Sequence, residues 1–134
     1  MRYHDWHLSG YSVLDGGARI VLHLLWNYPP QEKLENHIQF AGVAAYRFNH
    51  TDSAIITEIE EAPIEEYFRV EKEFITWAAK QTGLRDWPGD IDTYRCRLDT
   101  EGFKYWSIGS AIGFEGFVVA KAASELKASE VSAK

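Results

Sequence analysis

The apolar positions of the chain gather first into two long runs. Ala18 to Trp26 is almost unbroken apolar, Ile38 to Phe48 is a second such run, and a polar loop carrying Pro29 and Pro30 separates them. Neither run can stay in water, so the fold has to be built over this pair. In the first run Ile20, Leu22, Leu24 and Trp26 share one face of a strand, and Arg19, Val21, His23 and Leu25 share the other. One face is apolar throughout and the other mixed, which predicts one face in the core and the other half covered. Tyr28-Pro29-Pro30 ends this strand, because proline cannot donate to a ladder. Gln31 to Asn36 reads as a charged loop.

The flanking segments extend the same pattern. From Tyr3 to Leu14, Trp6 and Leu8 and then Tyr11 and Val13 alternate with polar residues. The phase slips at Ser9-Gly10, which predicts a bulge or bend. Asp15-Gly16-Gly17 predicts a hairpin turn into the second strand. A third strand runs over His37 to Phe48. Its two phases, Ile38 with Phe40 and Val43 with Ala45, are reconciled by a β-bulge at Ala41-Gly42. Asn49 to Ser53 reads as a turn, and Ile55 to Glu60 as a fourth strand with one wet face.

Ala62-Pro63 breaks that strand, and a long helix is expected over Ile64 to Thr82. Glu65 and Glu66 suit its positive N-terminal end, and Gly83 its stop. Ile64, Tyr67, Phe68, Phe74, Ile75 and Ala78 form its apolar stripe, with Trp77 at the edge. After a turn at Trp87-Pro88-Gly89-Asp90, Thr93 to Thr100 reads as a strand that sends Tyr94, Cys96 and Leu98 to one side. Phe103 to Ile108 and Phe114 to Ala120 read as two further strands joined by a glycine-rich hairpin containing Gly109, Gly113 and Gly116. The expected architecture is α+β. About seven mainly antiparallel strands form a strongly curved, half-barrel-like sheet with one long helix packed on it. This single domain covers residues 1–121. Residues 122–134 lack an apolar stripe and read as a frayed or disordered tail.

Length and charge narrow the classes. The 134 residues suit one domain that buries its core without a staple. A formal net charge of -6 argues against a nucleic-acid ligand and against anionic lipid, since both call for a basic face. The same charge suits a basic protein partner. The single cysteine, Cys96, permits no internal disulfide. Arg2-Tyr3-His4-Asp5 is no apolar signal core, and no apolar run approaches the ~18 residues of a membrane span. The expected compartment is the cytoplasm.

Candidate chemistry is sparse. His4-Asp5-Trp6-His7 holds potential metal ligands and proton carriers, but on a strand only Asp5 and His7 share a face. Zinc requires three or four converging ligands, and nothing in the pattern brings His23, His37 or His50 to them, so no metal is assigned. Cys96, between Tyr94 and Leu98, reads as a buried and inert thiol. Ser107 and Ser110 lack a nucleophile elbow, and Gly109 to Gly116 lacks the lysine and helix of a phosphate loop. No catalytic residue and no cofactor are assigned. The sharper feature is acidic. Glu58, Glu60, Glu61, Glu65, Glu66, Glu71 and Glu73 face only Arg69 and Lys72 across this stretch. If the fourth strand and the helix lie side by side, a field of one sign results, which speeds association with a basic partner. Glu58, Glu60, Glu61, Glu65 and Glu66, with Trp87 as a nearby aromatic anchor, are the candidate partner-binding residues.

Three stretches carry a resemblance. They are His4-Asp5-Trp6-His7-Leu8, Ile38-Gln39-Phe40-Ala41-Gly42-Val43 and Ser110-Ala111-Ile112-Gly113-Phe114-Glu115-Gly116. A histidine-aspartate opening, a strand ending in Phe-x-Gly-Val and a late Ser-x-x-Gly hairpin resemble small β-rich bacterial proteins. Some of these are grouped with the immunity proteins of contact-dependent and polymorphic toxin systems. The resemblance implies a cytoplasmic, non-enzymatic binder of a toxin domain and brings no catalytic residue with it. Two other readings stay open at this point. One is a small-ligand binder enclosed by sheet and helix. The other is an enzyme using Asp5, His7 and His23.

Overall fold

The fold is α+β, a curved, mainly antiparallel half-barrel sheet packed with helices, as the pattern predicts; among the described residues the sheet has six strands rather than about seven, and there are three α-helices rather than one long helix. The computed structural model describes residues 3–81 and 90–126. The strands are β1 (His7–Leu14), β2 (Arg19–Trp26), β3 (Leu34–Ala41), β4 (Ala45–Ala62), β5 (Lys104–Ala120) and β6 (Ala122–Leu126), and the helices are α1 (Ile64–Val70), α2 (Lys72–Ala79) and α3 (Ile91–Thr100). The sheet order is β5-β4-β1-β2-β3-β6. Its two edge strands, β5 and β6, are therefore consecutive in the chain. Lys121 joins them, and its N–H donates to the Ala41 and Gly42 carbonyls at 3.1 and 3.2 Å, so the sheet curls until its edges meet at that corner. Between β1 and β4 the pairing is confined to the neighbourhood of His7 and Ile55, which leaves the barrel splayed there.

The two apolar runs form the centre of this sheet. Ile20 pairs with Phe40 and Leu22 with Ile38, and all four are fully buried. Together with Leu8, Leu24, Ile56, Ile59, Trp106 and Val118 they fill the concave side. The phase slip at Ser9 is a bulge between Leu8 and Gly10, and Asp15-Gly16-Gly17 makes the hairpin turn.

β5 is apolar on both faces. Trp106, Ile108, Phe114, Val118 and Ala120 enter the barrel core, whereas Tyr105, Phe117 and Val119 enter a second core with Ile64, Tyr67, Phe68, Ile75, Tyr94, Leu98 and Phe103. The period-2 alternation of the strand divides the two cores between its faces.

Several expectations are corrected. The stretch from Phe103 to Ala120 has no hairpin: it is one strand paired with β4 from Ala62↔Tyr105 to Ala45↔Val119. Its glycines serve close approach. A Cβ at Gly116 would lie 2.7 Å from the Arg47 carbonyl oxygen, and Gly113 sits at φ +75 beside Thr51. The turn expected at Asn49 to Ser53 is likewise a distortion within β4, with Ser53 at φ 62 and the register shifting between His50 and Ile55. At Ala41-Gly42 the chain does not bulge within one strand. β3 ends, and the chain turns a corner into β4.

The single long helix is two, α1 and α2, broken at Glu71 (φ -101, ψ 37), where the Glu71 side chain is held by the sheet. Its expected end at Thr82 and stop at Gly83 lie outside the described residues, as do Trp87, Pro88 and Gly89 of the expected turn.

Thr93 to Thr100 is α3 and not a strand. Tyr94 and Leu98, four apart, are buried as one helical face, while Cys96 between them is exposed. Three apolar positions at spacing two and four fit either period, and the caps decide here. Asp90 accepts from the Thr93 N–H at 2.8 Å and from the Thr93 hydroxyl at 3.0 Å, capping the N-terminus. At the other end Phe103 N–H donates to the Leu98 carbonyl and Gly102 N–H to the Asp99 carbonyl, a Schellman motif with Gly102 at φ +81. Nothing crowds a Cβ at Gly102, so Gly102→Ala tests backbone strain alone. It is expected to cost about 1 kcal/mol, read as a melting temperature lower by roughly 3–5 °C.

Residues 122–126 are not a frayed tail. They form β6, paired with β3 from Ala41↔Ala122 to His37↔Leu126, and Glu125 accepts a hydrogen bond from the Tyr3 hydroxyl. Edge pairing is made by backbone groups and needs no apolar stripe. Residues 127–134 lie outside the described residues.

Candidate functional site

The acidic candidates come together only in part. Glu60 pairs with Ser107 and Glu61 with Trp106, so the two point to opposite faces of β4. Glu58 and Glu60 lie side by side. Hydrogen bonding to Glu58, and then its charge, holds the Glu60 carboxyl above the ordinary carboxylate range. Glu65 and Glu66 occupy the first turn of α1, where Pro63 breaks the strand and leads into the helix. Glu66 is neutralised locally: Arg69 donates to it from Nε at 3.0 Å and also from Nη2, and this bonding lowers its carboxyl pKa. Among the described residues, Glu58, Glu60, Glu61 and Glu65 have no salt-bridge partner. Trp87 lies outside the described residues.

A second constellation was visible in the sequence only as one glutamate among several. Glu71, 11% exposed, sits at the break between α1 and α2. Its Oε1 accepts from Arg47 Nη2 at 3.0 Å and its Oε2 from the Tyr105 hydroxyl at 2.6 Å. Burial, and then Glu71, push the Tyr105 phenol well above its ordinary pKa. Arg47 also reaches Glu115 at 3.4 Å, and its guanidinium lies 5.7 Å from the Phe117 ring centroid. Arg47, Glu71 and Glu115 of this network line one wall of an open groove of about 1600 Å³, whose other walls include the Asp15-Gly16-Gly17 turn, Tyr46, Phe74 and Trp77. Trp77 is 58% exposed.

The histidines separate. Asp5 lies 3.6 Å from His4, and the His7 ring stacks on Tyr28. His23 bonds instead to Ser12 and His37. Asp5, His7 and His23 thus form no common cluster, and among the described residues no three His, Cys, Asp or Glu side chains are placed to hold a metal ion. From the sequence His37 stands beside His23 only among possible metal ligands with nothing to say that they converge, and Ser12 is not singled out at all. The signal available was parity: Arg19, Val21 and His23 share a face of β2, and the residues opposite that face follow once the register is known. Compared with known protein families, curated proteins and solved structures, the chain matches none.

Proposed function

We propose that the chain is a protein-binding module that receives a basic protein partner, in the manner of an immunity-like protein that neutralises a toxin domain. The observation that carries this reading is the Glu58–Glu60 pair. Two carboxylates are held side by side on the sheet with no salt-bridge partner among the described residues. Like charges held together cost stability in the free protein, and a cationic partner relieves that cost on binding. Glu65, in the first turn of α1, is a further carboxylate with no salt-bridge partner among the described residues. The three-segment resemblance to immunity proteins points the same way.

The test is capture from native lysate at low and at high salt, comparing the natural chain with Glu58→Lys/Glu60→Lys. A stoichiometric basic protein held by the natural chain, released by salt and lost in the variant, is the expected result. Equal retention by the variant removes this face. A second measurement needs no partner. Glu60 titrates above its unfolded value, so its contribution to stability is present below the unfolded pKa and is lost as pH rises through the folded pKa. Glu58→Gln is therefore expected to be more stable than the natural chain at neutral pH, with the gain vanishing in acid, when both carboxyls are protonated. Chemical unfolding across that pH range reads both.

A further inference from the structure

The outer face of β1, β2 and β3 carries a continuous polar relay. His23 on β2 lies directly opposite His37 on β3, and Ser12 on β1, paired with Val21, lies diagonal to His23 on the same face. Ser12 Oγ is 2.8 Å from His23 Nε2, and His23 Nδ1 is 2.9 Å from His37 Nδ1. All three are half-buried, and Val21, opposite Ser12 and beside His23 on the same face of β2, is 1% exposed.

One proton arrangement makes Ser12 the donor. His23 Nε2 is then bare, its proton on Nδ1 is donated to a bare His37 Nδ1, and His37 keeps its proton on Nε2. Protonating His37 reverses both bonds, because His37 Nδ1–H then donates to His23, and His23 Nε2–H to Ser12. A hydroxyl bonded to a base that is itself oriented by a third group is the geometry of an activated nucleophile.

We propose that Ser12 is a nucleophilic hydroxyl, that His23 is its general base and His37 the residue positioning His23, and that this trio takes acyl groups from small carboxylic esters. Ser12 Oγ attacks the ester carbonyl carbon as His23 Nε2 takes the hydroxyl proton, and the carbonyl electron pair moves to its oxygen. Collapse restores the carbonyl and breaks the bond to the alcohol oxygen, which leaves with the proton from His23. Acyl-Ser12 and the free alcohol result. Water, deprotonated by His23, then attacks the acyl carbon and releases the carboxylic acid, returning the proton to Ser12.

His23 is suited to this role, since burial, and then the nearby His37, lower its pKa and keep it neutral. Of the groups facing it, His37 and Glu35 come from β3 and the Ser12 hydroxyl from β1; the Ser9 hydroxyl donates to the His23 carbonyl oxygen at 3.0 Å, and Arg19 on its own strand pairs with Asp15. The site is formed by strands other than β4 and does not rest on the protein-binding reading.

The experiment uses p-nitrophenyl acetate, following release of p-nitrophenolate and locating the acetyl group by peptide mass spectrometry. Acetylation at Ser12 is expected, absent in Ser12→Ala and slowed at least about tenfold in His23→Gln. His37→Asn, whose side-chain carbonyl still accepts from His23, is expected to react faster than His37→Leu. Its acid limb should move to higher pH, because no neighbouring imidazolium opposes the charging of His23. Equal acetylation of Ser12 in His23→Gln, or adducts spread equally over Ser9 and other exposed serines, overturns the proposal. If His23→Gln does not fold, the natural chain decides: a Ser12 rate that is flat across the imidazole range overturns it equally.

Discussion

Phe117→Ala is expected to lower stability by about 3–5 kcal/mol, the range for emptying a buried phenylalanine site. The ring is fully buried on the face of β5 that receives the helices. Its centroid lies 5.0 Å from Phe74, 5.6 Å from Tyr67 and 5.8 Å from Tyr105, so it touches α1, α2 and its own strand at once. Removing it leaves a void that those neighbours fill only in part, since each is fixed by other contacts. Urea unfolding followed by circular dichroism reads the loss as a lower midpoint. Val118→Ala, one residue away, acts on the barrel core instead and removes less volume, so it is expected to cost less. A loss below about 1 kcal/mol for Phe117→Ala would mean that the ring is not the contact on which the helices dock.

Glu71→Leu is the second large effect, with an expected cost of about 2–4 kcal/mol. The carboxylate accepts from Arg47 and from the Tyr105 hydroxyl, and at 11% exposure water does little to replace it. The leucine variant leaves a buried phenol without its acceptor and a partly buried guanidinium with only the longer contact to Glu115. Glu71→Gln keeps one acceptor oxygen and is expected to lose less. The discriminating measurement is a double-mutant cycle with Arg47→Leu. Because much of the cost is the desolvation of an orphaned partner, the double variant is expected to be more stable than the sum of the two single losses. Strict additivity would show that Arg47 and Glu71 are neighbours without being coupled. Both residues line the open groove beside Trp77, so the same variants show whether the groove wall keeps its shape when the network is removed.

Legibility in the sequence followed the range of the interactions. The strand from Ala18 to Trp26, the bulge at Ser9-Gly10, the turn at Asp15-Gly16-Gly17 and the start of the helix at Ile64 were readable, because periodicity, positive φ and proline act within a few residues. The same local logic misread Thr93 to Thr100, where Tyr94 and Leu98 satisfy both periods; Asp90 and Gly102 were present as cap signals and were the better guide. The glycines at 109, 113 and 116 read as bulges and tight turns; the register against β4 does shift along this stretch, but no turn forms, Gly109 and Gly116 leave room for β4 and only Gly113 needs its positive φ.

The candidate sites divide along the same line. Charge density near Glu58 is a property of the chain, and the acidic set could be named from it. Which members share a face depended on strand parity and on the registers that set it. That residues 122–126 complete the sheet, that Glu71 is drawn to Arg47 and Tyr105 and breaks the helix, and that Ser12, His23 and His37 line up across three strands all depend on partners 11 to 89 residues distant along the chain. Apolar alternation specifies that a segment is a strand and which side it buries. The partner across the ladder is chosen by backbone hydrogen bonds, which carry no side-chain identity, and so by the way the whole sheet closes.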